Sequence, residues 1–405
     1  MLDGGSTLIA ARGALLRKKS SIGSRPTGIP PDAEPNDERG YAEMKHINLV
    51  AACVAALGIV GANAASAPAA DGISVFAKGL NGPRGLKFGP EGDLYVAEAG
   101  LGGPTSTVGK CEQVPTPVGP YTGGKTARIS KISPKGKRTT VVDNLPSSSA
   151  ALPTHDTEGV ADIAFIGDTL YALISGAGCS HGVPDVPNGV IRVDQKKHTW
   201  QLLANLSAFS AAHPAAHPDL ADFEPDGTWF SLIAVHNKLY ATEPNQGRLL
   251  EINPENGHIR QLIDLSADPW IGPTAMVFDG VFHVGTLTPF PIVPGAAQIF
   301  QITKHGKIVD TNHGLTAITG LALDGNDNLF VLELSTASDF PVPGTGKVVR
   351  LHESGAIEEI VTGLVLPTGN MAFDPDGALY VSNFGAVSMP GTGQIVRIEV
   401  KPTED

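Results

Sequence analysis

Apolar and polar residues alternate in short runs from residue 73 to residue 400, and tight turns separate the runs. One phrase recurs: Gly82-Pro83-Arg84-Gly85-Leu86-Lys87-Phe88, a Pro90-Glu91-Gly92-Asp93 turn, then Leu94-Tyr95-Val96. It returns as Pro367-Thr368-Gly369-Asn370-Met371-Ala372-Phe373, Asp374-Pro375-Asp376-Gly377 and Ala378-Leu379-Tyr380-Val381. Weaker copies lie at 159–172, 226–241, 272–284 and 320–331. Each copy reads as strand, turn, strand, since period-two alternation marks a strand with one buried face.

A third strand follows in each copy, as in Val190-Ile191-Arg192-Val193, Leu249-Leu250-Glu251-Ile252, Ile299-Phe300-Gln301-Ile302, Val348-Val349-Arg350-Leu351 and Ile395-Val396-Arg397-Ile398. A further turn, such as Pro134-Lys135-Gly136, leads into a fourth. Four-stranded units repeated along the chain predict an all-β fold, a six-bladed β-propeller spanning 73–400. The last copy has three strands after Gly363, and an orphan strand at 73–77 precedes the first. We expect that strand to pair with 394–400 as the outer strand of the last blade, which closes the ring and leaves no free edge there.

The loops are unequal. Connections between strands 1 and 2 and between strands 3 and 4 are short and lie on one face. The segments 99–126, 145–158, 175–188, 207–227, 287–296, 335–346 and 385–393 all fall on the other face. Long loops in a compact domain usually carry function, so a site is expected on that face, around the central channel. The residues where second strands emerge there are Glu98, Ile174, Glu243, Thr286, Glu333 and Asn383. Arg84, Asp162, Thr274, Thr319 and Asn370 enter from first strands, nearest the axis. Glu98, Glu243, Glu333 and Asn383 form an oxygen-rich set that suits calcium or another hard cation. The same groups would serve equally as staples that bond neighbouring loop backbone.

The formal net charge is −12, with 17% charged residues, 48 Gly and 32 Pro. The composition suits a turn-rich β protein, and the lack of a basic patch argues against a nucleic-acid partner. Residues 1–43 have no periodicity and read as a disordered or non-native leader. Met44-Lys45-His46, the apolar run 47–60 and the small residues Ala62 and Ala64 read as a signal peptide over 44–64. The expected product is secreted or periplasmic: a linker over 65–72, the propeller, and a tail over 401–405. Retention by an N-terminal anchor, or lipidation at Cys53, are the alternatives. After cleavage no membrane partner is expected. Cys111 and Cys179 then remain, in equivalent loops of adjacent blades. In an exported protein a disulfide between them is the expectation, with two free thiols as the alternative.

Other motifs match less well. Residues 119–126 fit the phosphate-loop pattern, yet a Pro-rich loop precedes them and a strand follows. His213 and His217 are each followed by proline, which disfavours a helical metal pair. Cys179-Ser180-His181 offers a metal pair that competes with the disulfide. Asp324, Asn326 and Asn328 resemble half a calcium loop inside a short turn. No His-Glu-x-x-His or Gly-x-Ser-x-Gly occurs.

The 82–100 phrase, the 159–171 strand pair, Pro244-Asn245-Gln246-Gly247 and Thr368-Gly369-Asn370-Met371-Ala372-Phe373 together resemble the ScyD/ScyE family of propellers, named for scytonemin biosynthesis and related to NHL-type, gluconolactonase-like and strictosidine-synthase-like propellers. The resemblance covers most of 73–400. It implies an exported six-bladed propeller and no general reaction. Two functional expectations follow. One is an accessory module that binds a small molecule, a glycan or a protein through its loop-bearing face. The other is a metal-dependent, gluconolactonase-like hydrolase with a cation at the channel mouth.

Overall fold

The structure is a computed structural model that describes residues 72–152, 156–218, 220, 223–267, 272–288, 291–386 and 389–401. The leader, the signal peptide and nearly all of the linker lie outside the described residues, as does most of the tail.

The strands form six antiparallel sheets. The first contains Pro83–Phe88, Leu94–Glu98, Thr122–Ile132 and Arg138–Ser149, and the second Val160–Ile166, Thr169–Ile174, Gly189–Asp194 and Thr199–Asn205. The third runs through Leu232–Val235, Lys238–Glu243, Arg248–Ile252 and Ile259–Asp264, and the fourth through Gly272–Phe278, Phe282–Leu287, Ala297–Ile302 and Ile308–Leu315. The fifth holds Ile318–Leu323, Leu329–Glu333, Gly346–Leu351 and Ile357–Leu364. The sixth holds Ala372–Phe373, Ala378–Asn383 and Gly393–Glu399, and its outer strand is Ile73–Leu80. First strands pack against first strands around the ring, and the sixth meets the first. The fold is a six-bladed β-propeller.

The closure joins the chain's two ends in antiparallel register, with Ile73 opposite Ile398 and Leu80 opposite Gly393. Phe76 meets Tyr380 edge-on at 4.9 Å between centroids, and Phe88 of the first blade meets the same ring at 5.2 Å. The seam is therefore a core contact as well as a hydrogen-bonded edge.

The recurrent aromatic and the polar residue of the third strand have a shared physical role. They sit directly opposite each other: Tyr95 and Lys131, Tyr171 and Arg192, Phe330 and Arg350, Tyr380 and Arg397. The cation lies over the ring in each case, at 5.9, 5.7, 5.0 and 6.0 Å from the centroid. Cross-strand pairs of this kind stabilise a sheet, and the long cationic stems cover the ring. The rings also knit neighbouring blades, as Tyr95 packs on Phe165 at 5.0 Å and Phe330 on Phe373 at 4.9 Å.

Turn chemistry explains the hairpins. The Asp324 Oδ1 accepts from the amides of Asn326 and Asn328, and the Asp374 Oδ1 from those of Asp376 and Ala378. The Asp324-Asn326-Asn328 run is thus an Asx turn that mimics backbone, not part of a cation loop.

One elaboration exceeds the sequence expectation. Residues 122–126 and 145–149, expected as loop, extend the third and fourth strands of the first blade into a ribbon, with Thr122 opposite Ser149. Thr157–Glu158 pairs with the ribbon as a fifth strand. The phosphate-loop match lies mostly inside this ribbon. A Cβ on Gly123 would sit 2.3 Å from the His181 carbonyl oxygen. Glycine there lets two blades' loops approach closely; it does not cradle phosphate.

Candidate functional site

The four expected cation ligands do not meet. Glu98 is fully buried and bonds Arg138 Nη2 through both oxygens, at 2.6 and 2.8 Å, and Arg128 Nε at 3.1 Å. Its Oε2 also accepts from the Asn81 amide. Glu243 accepts from the amides of Thr228 and Gln246. Glu333 accepts from the Thr316 amide at 2.7 Å and faces Lys347 Nζ at 3.2 Å. Asn383 Oδ1 accepts from the Val365 amide at 2.7 Å.

The four share one job. Each ties the exit of its blade's second strand to the segment that enters the same blade. No group of three or more His, Cys, Asp or Glu side chains gathers around a common point among the described residues. A calcium ion at Glu98 or Glu333 would have to compete with guanidinium or ammonium groups already in place, so this donor set does not fit a cation. Thr286 exchanges hydrogen bonds with the backbone of Gln298. His213 stacks on Phe209 at 4.4 Å at the end of helix Leu206–Ala212, and its Nδ1 lies 3.0 Å from the Phe209 carbonyl oxygen.

Two of the expected residues do come together on the axis. Asn370 Nδ2 donates to Asp162 Oδ2 at 2.9 Å and to Ser231 Oγ at 2.6 Å. The same Asp162 oxygen takes the Leu232 amide at 2.8 Å. Burial pushes the Asp162 carboxyl up to about 6, against the pull of these donors. A cavity of about 410 Å³ runs along the axis beside this network, lined by inner strands of all six blades. Thr274 and Thr319 bond the backbone of the next blade, at Ile318 and Pro367.

Arg84 leads to a set that sequence reasoning missed. Its Nη2 bonds Asp156 Oδ1 at 2.9 Å and the Thr157 carbonyl at 2.6 Å, with Glu158 Oε1 at 3.9 Å. The ribbon's fifth strand places these partners. Behind them, His181 Nε2 lies 3.0 Å from Glu224 Oε2, and Tyr121 donates to Glu224 Oε1 at 3.2 Å. Tyr121 also packs against the His181 ring at 4.7 Å. Four connections on the loop-bearing face thus converge: the ribbon loop, the 156–158 segment, the 175–188 loop and the segment that enters the third blade.

The electrostatics follow from crowding. Although 38% of the Asp156 side chain meets solvent, surrounding protein raises its pKa and that of Glu158, with Arg84 opposing. Repulsion from Glu224 adds to both shifts. Burial disfavours the charge on His181, but Glu224, Asp226 and Glu158 outweigh that and raise its pKa. Cys111 and Cys179 form a disulfide, with 6.3 Å between Cα atoms, and clamp the two loops that carry Tyr121 and His181. Arg84 was expected from its place on a first strand and His181 had a signal through its neighbour Cys179, while Asp156, Glu158 and Glu224 had none.

No protein-family profile matches the chain. No curated protein matches it either. Solved structures share its ring. A protein of unknown function from Bacteroides thetaiotaomicron superposes with a TM-score of 0.51 at 12% identity, over 82% of this chain and 76% of that one. A gluconolactonase from Xanthomonas campestris gives 0.49 at 12% identity, over 81% and 89%. The PQQ-bound aldose sugar dehydrogenase from Streptomyces coelicolor gives 0.48 at 13% identity, over 83% and 100%. At such identities the likeness is one of fold, and function has to be read from the site.

Proposed function

We propose that this chain is a binding module of the ScyD/ScyE type, which holds a small polar molecule on its loop-bearing face at Arg84, Asp156 and Glu158. One observation carries the reading. Arg84 is held between the Asp156 carboxylate and the Thr157 carbonyl, with the Glu158 carboxylate nearby, while Asp156 alone of the set keeps a substantial exposed surface. The buried Arg84 guanidinium, with His181 and Glu224 behind, fixes the exposed Asp156 carboxylate as an oriented acceptor for a hydroxylated or amino-bearing ligand. Preorganisation by the ribbon and the disulfide lowers the ordering cost of binding.

The hydrolase alternative lacks its cation ligands, since Glu98 and Glu333 are matched by Arg138 and Lys347.

Calorimetric titration with a polyol, an amino sugar and a neutral disaccharide tests the proposal. Binding of one class, weakened at least tenfold by Asp156→Asn with unchanged melting, supports it. No binding to the wild type, or equal binding by the variant, overturns it.

A further inference from the structure

The other half of the same face carries a repeated device. Val293-Pro294-Gly295, Val342-Pro343-Gly344 and Met389-Pro390-Gly391 occupy equivalent loop tips on the fourth, fifth and sixth blades, just before the third strand of each. In each, proline is followed by a glycine at positive φ, +78°, +82° and +69°. The next amide returns to the apolar residue's carbonyl: Ala296 to Val293 at 3.1 Å, Thr345 to Val342 at 3.3 Å, Thr392 to Met389 at 3.2 Å. Proline then a left-handed glycine, closed by that bond, is the pattern of a type II turn.

Three copies of one turn hold out three apolar side chains. Val293, Val342 and Met389 are 55%, 44% and 48% exposed, and Phe340 beside them 53%. The fourth- and fifth-blade loops are fastened together, since Ile292 and Asp339 exchange both backbone hydrogen bonds at 2.9 and 3.0 Å. Beneath them lies a satellite core of Ile292, Ala317, Leu334 and Leu366. The tips are rigidly mounted, and exposed apolar groups gathered on one face mark an interaction surface.

We infer that this crown of tips docks on an electrically neutral lipid surface. Charge and backbone chemistry choose the occupant. Asp339 is the single charged residue in 287–296, 335–346 and 385–393, so these loops offer no cation to an anionic partner and one carboxylate to a cationic one. The chain's net charge of −12 disfavours anionic lipid. The tips are also cheap to dehydrate, because proline has no N–H and the residue after glycine has its N–H bonded within the turn. Separate convex knobs suit a deformable phase better than a preformed protein pocket. The docking departs from the sequence expectation of no membrane partner. It requires no spanning segment, and no helix among the described residues is long and apolar enough to cross a membrane.

The test uses the full chain and phosphatidylcholine vesicles. Wild type, V293S/V342S/M389S and the outer-strand control I308S/V309S are compared by sedimentation, so all share the same N-terminal apolar run. A V342W variant with brominated phosphatidylcholine reports insertion of the tip itself. Expected results are salt-insensitive sedimentation, at least a tenfold loss in the triple variant, none in the control, and quenching of V342W emission. Absence of wild-type sedimentation, equal binding by the triple variant, unquenched V342W, or binding restricted to anionic vesicles would each overturn the inference. So would association with a protein or a second copy without any vesicle binding.

Discussion

Asn370 donates to Asp162 at 2.9 Å across the propeller axis, although the two lie 208 residues apart and on blades separated by the first. The first blade permits this contact through Gly85. A Cβ there would sit 1.9 Å from Asp162 Oδ1 and 2.9 Å from Asp162 Cα. Gly85→Ala should therefore force the carboxylate out of the axial network, at about 1–3 kcal/mol for the overpacking alone. Asp162→Ala, which strands the Leu232 amide and the Asn370 amide, should cost about 3 kcal/mol. Urea unfolding measures both, and wild-type midpoints would contradict the axial-pin reading.

Glu98 predicts a larger effect. Removing it leaves Arg138 and Arg128 facing a buried gap, since the carboxylate is fully covered. Breaking a buried pair by deleting one partner costs about 3–5 kcal/mol. Glu98→Ala should thus lower the melting temperature markedly, whether or not calcium is present. If calcium instead raised the melting temperature of wild type and not of the variant, the residue would be a ligand after all.

The carboxyl of Glu243 is pushed up to about 8 by burial, from 4.5 in an unfolded chain, with Arg248 opposing the shift. The folded state then holds a proton that the unfolded state releases between those values. Stability from this group is full below pH 4.5 and is lost as the pH rises towards 8. Glu243→Gln keeps the site neutral, so its urea midpoint should fall less than that of wild type between pH 5 and pH 8. Parallel profiles for the two proteins would show that Glu243 ionises normally.

Deleting the closure strand should be severe. A chain that begins at Asn81 lacks the whole of Ile73–Leu80, which strips Phe76 from Tyr380 and opens an unpaired edge on the last blade. We expect a loss of cooperative melting and a concentration-dependent tendency to associate through that edge. Melting like the intact protein would mean that the seam contributes little.

Cross-strand neighbours identify the role of these side chains. Glu98, Glu243 and Glu333 each sit opposite a basic residue, Arg128, Arg248 and Lys347, and Asn383 sits opposite Gln394. A basic residue opposite the carboxylate in each of the three copies that carry one marks a staple rather than a ligand. The equivalence of positions was legible, but the partner depended on strand register, which alternation alone leaves open by one residue.

The sequence by itself determined the repeat, the blade count, the crowded face and the closing strand, because each rests on local alternation and turn chemistry that recurs six times. It also placed Cys111 and Cys179 in matching loops, although their pairing rests on how close those loops come. Only the tertiary structure decided where the charges go. Asp156 and Glu158 meet Arg84 because a ribbon extends past its blade and adds a fifth strand, and Glu224 meets His181 because the second blade's 175–188 loop meets the segment that enters the third blade. Nothing in the periodicity of those loops specifies such contacts. They join residues far apart in sequence, and their energy exists only once the ring has brought the blades together.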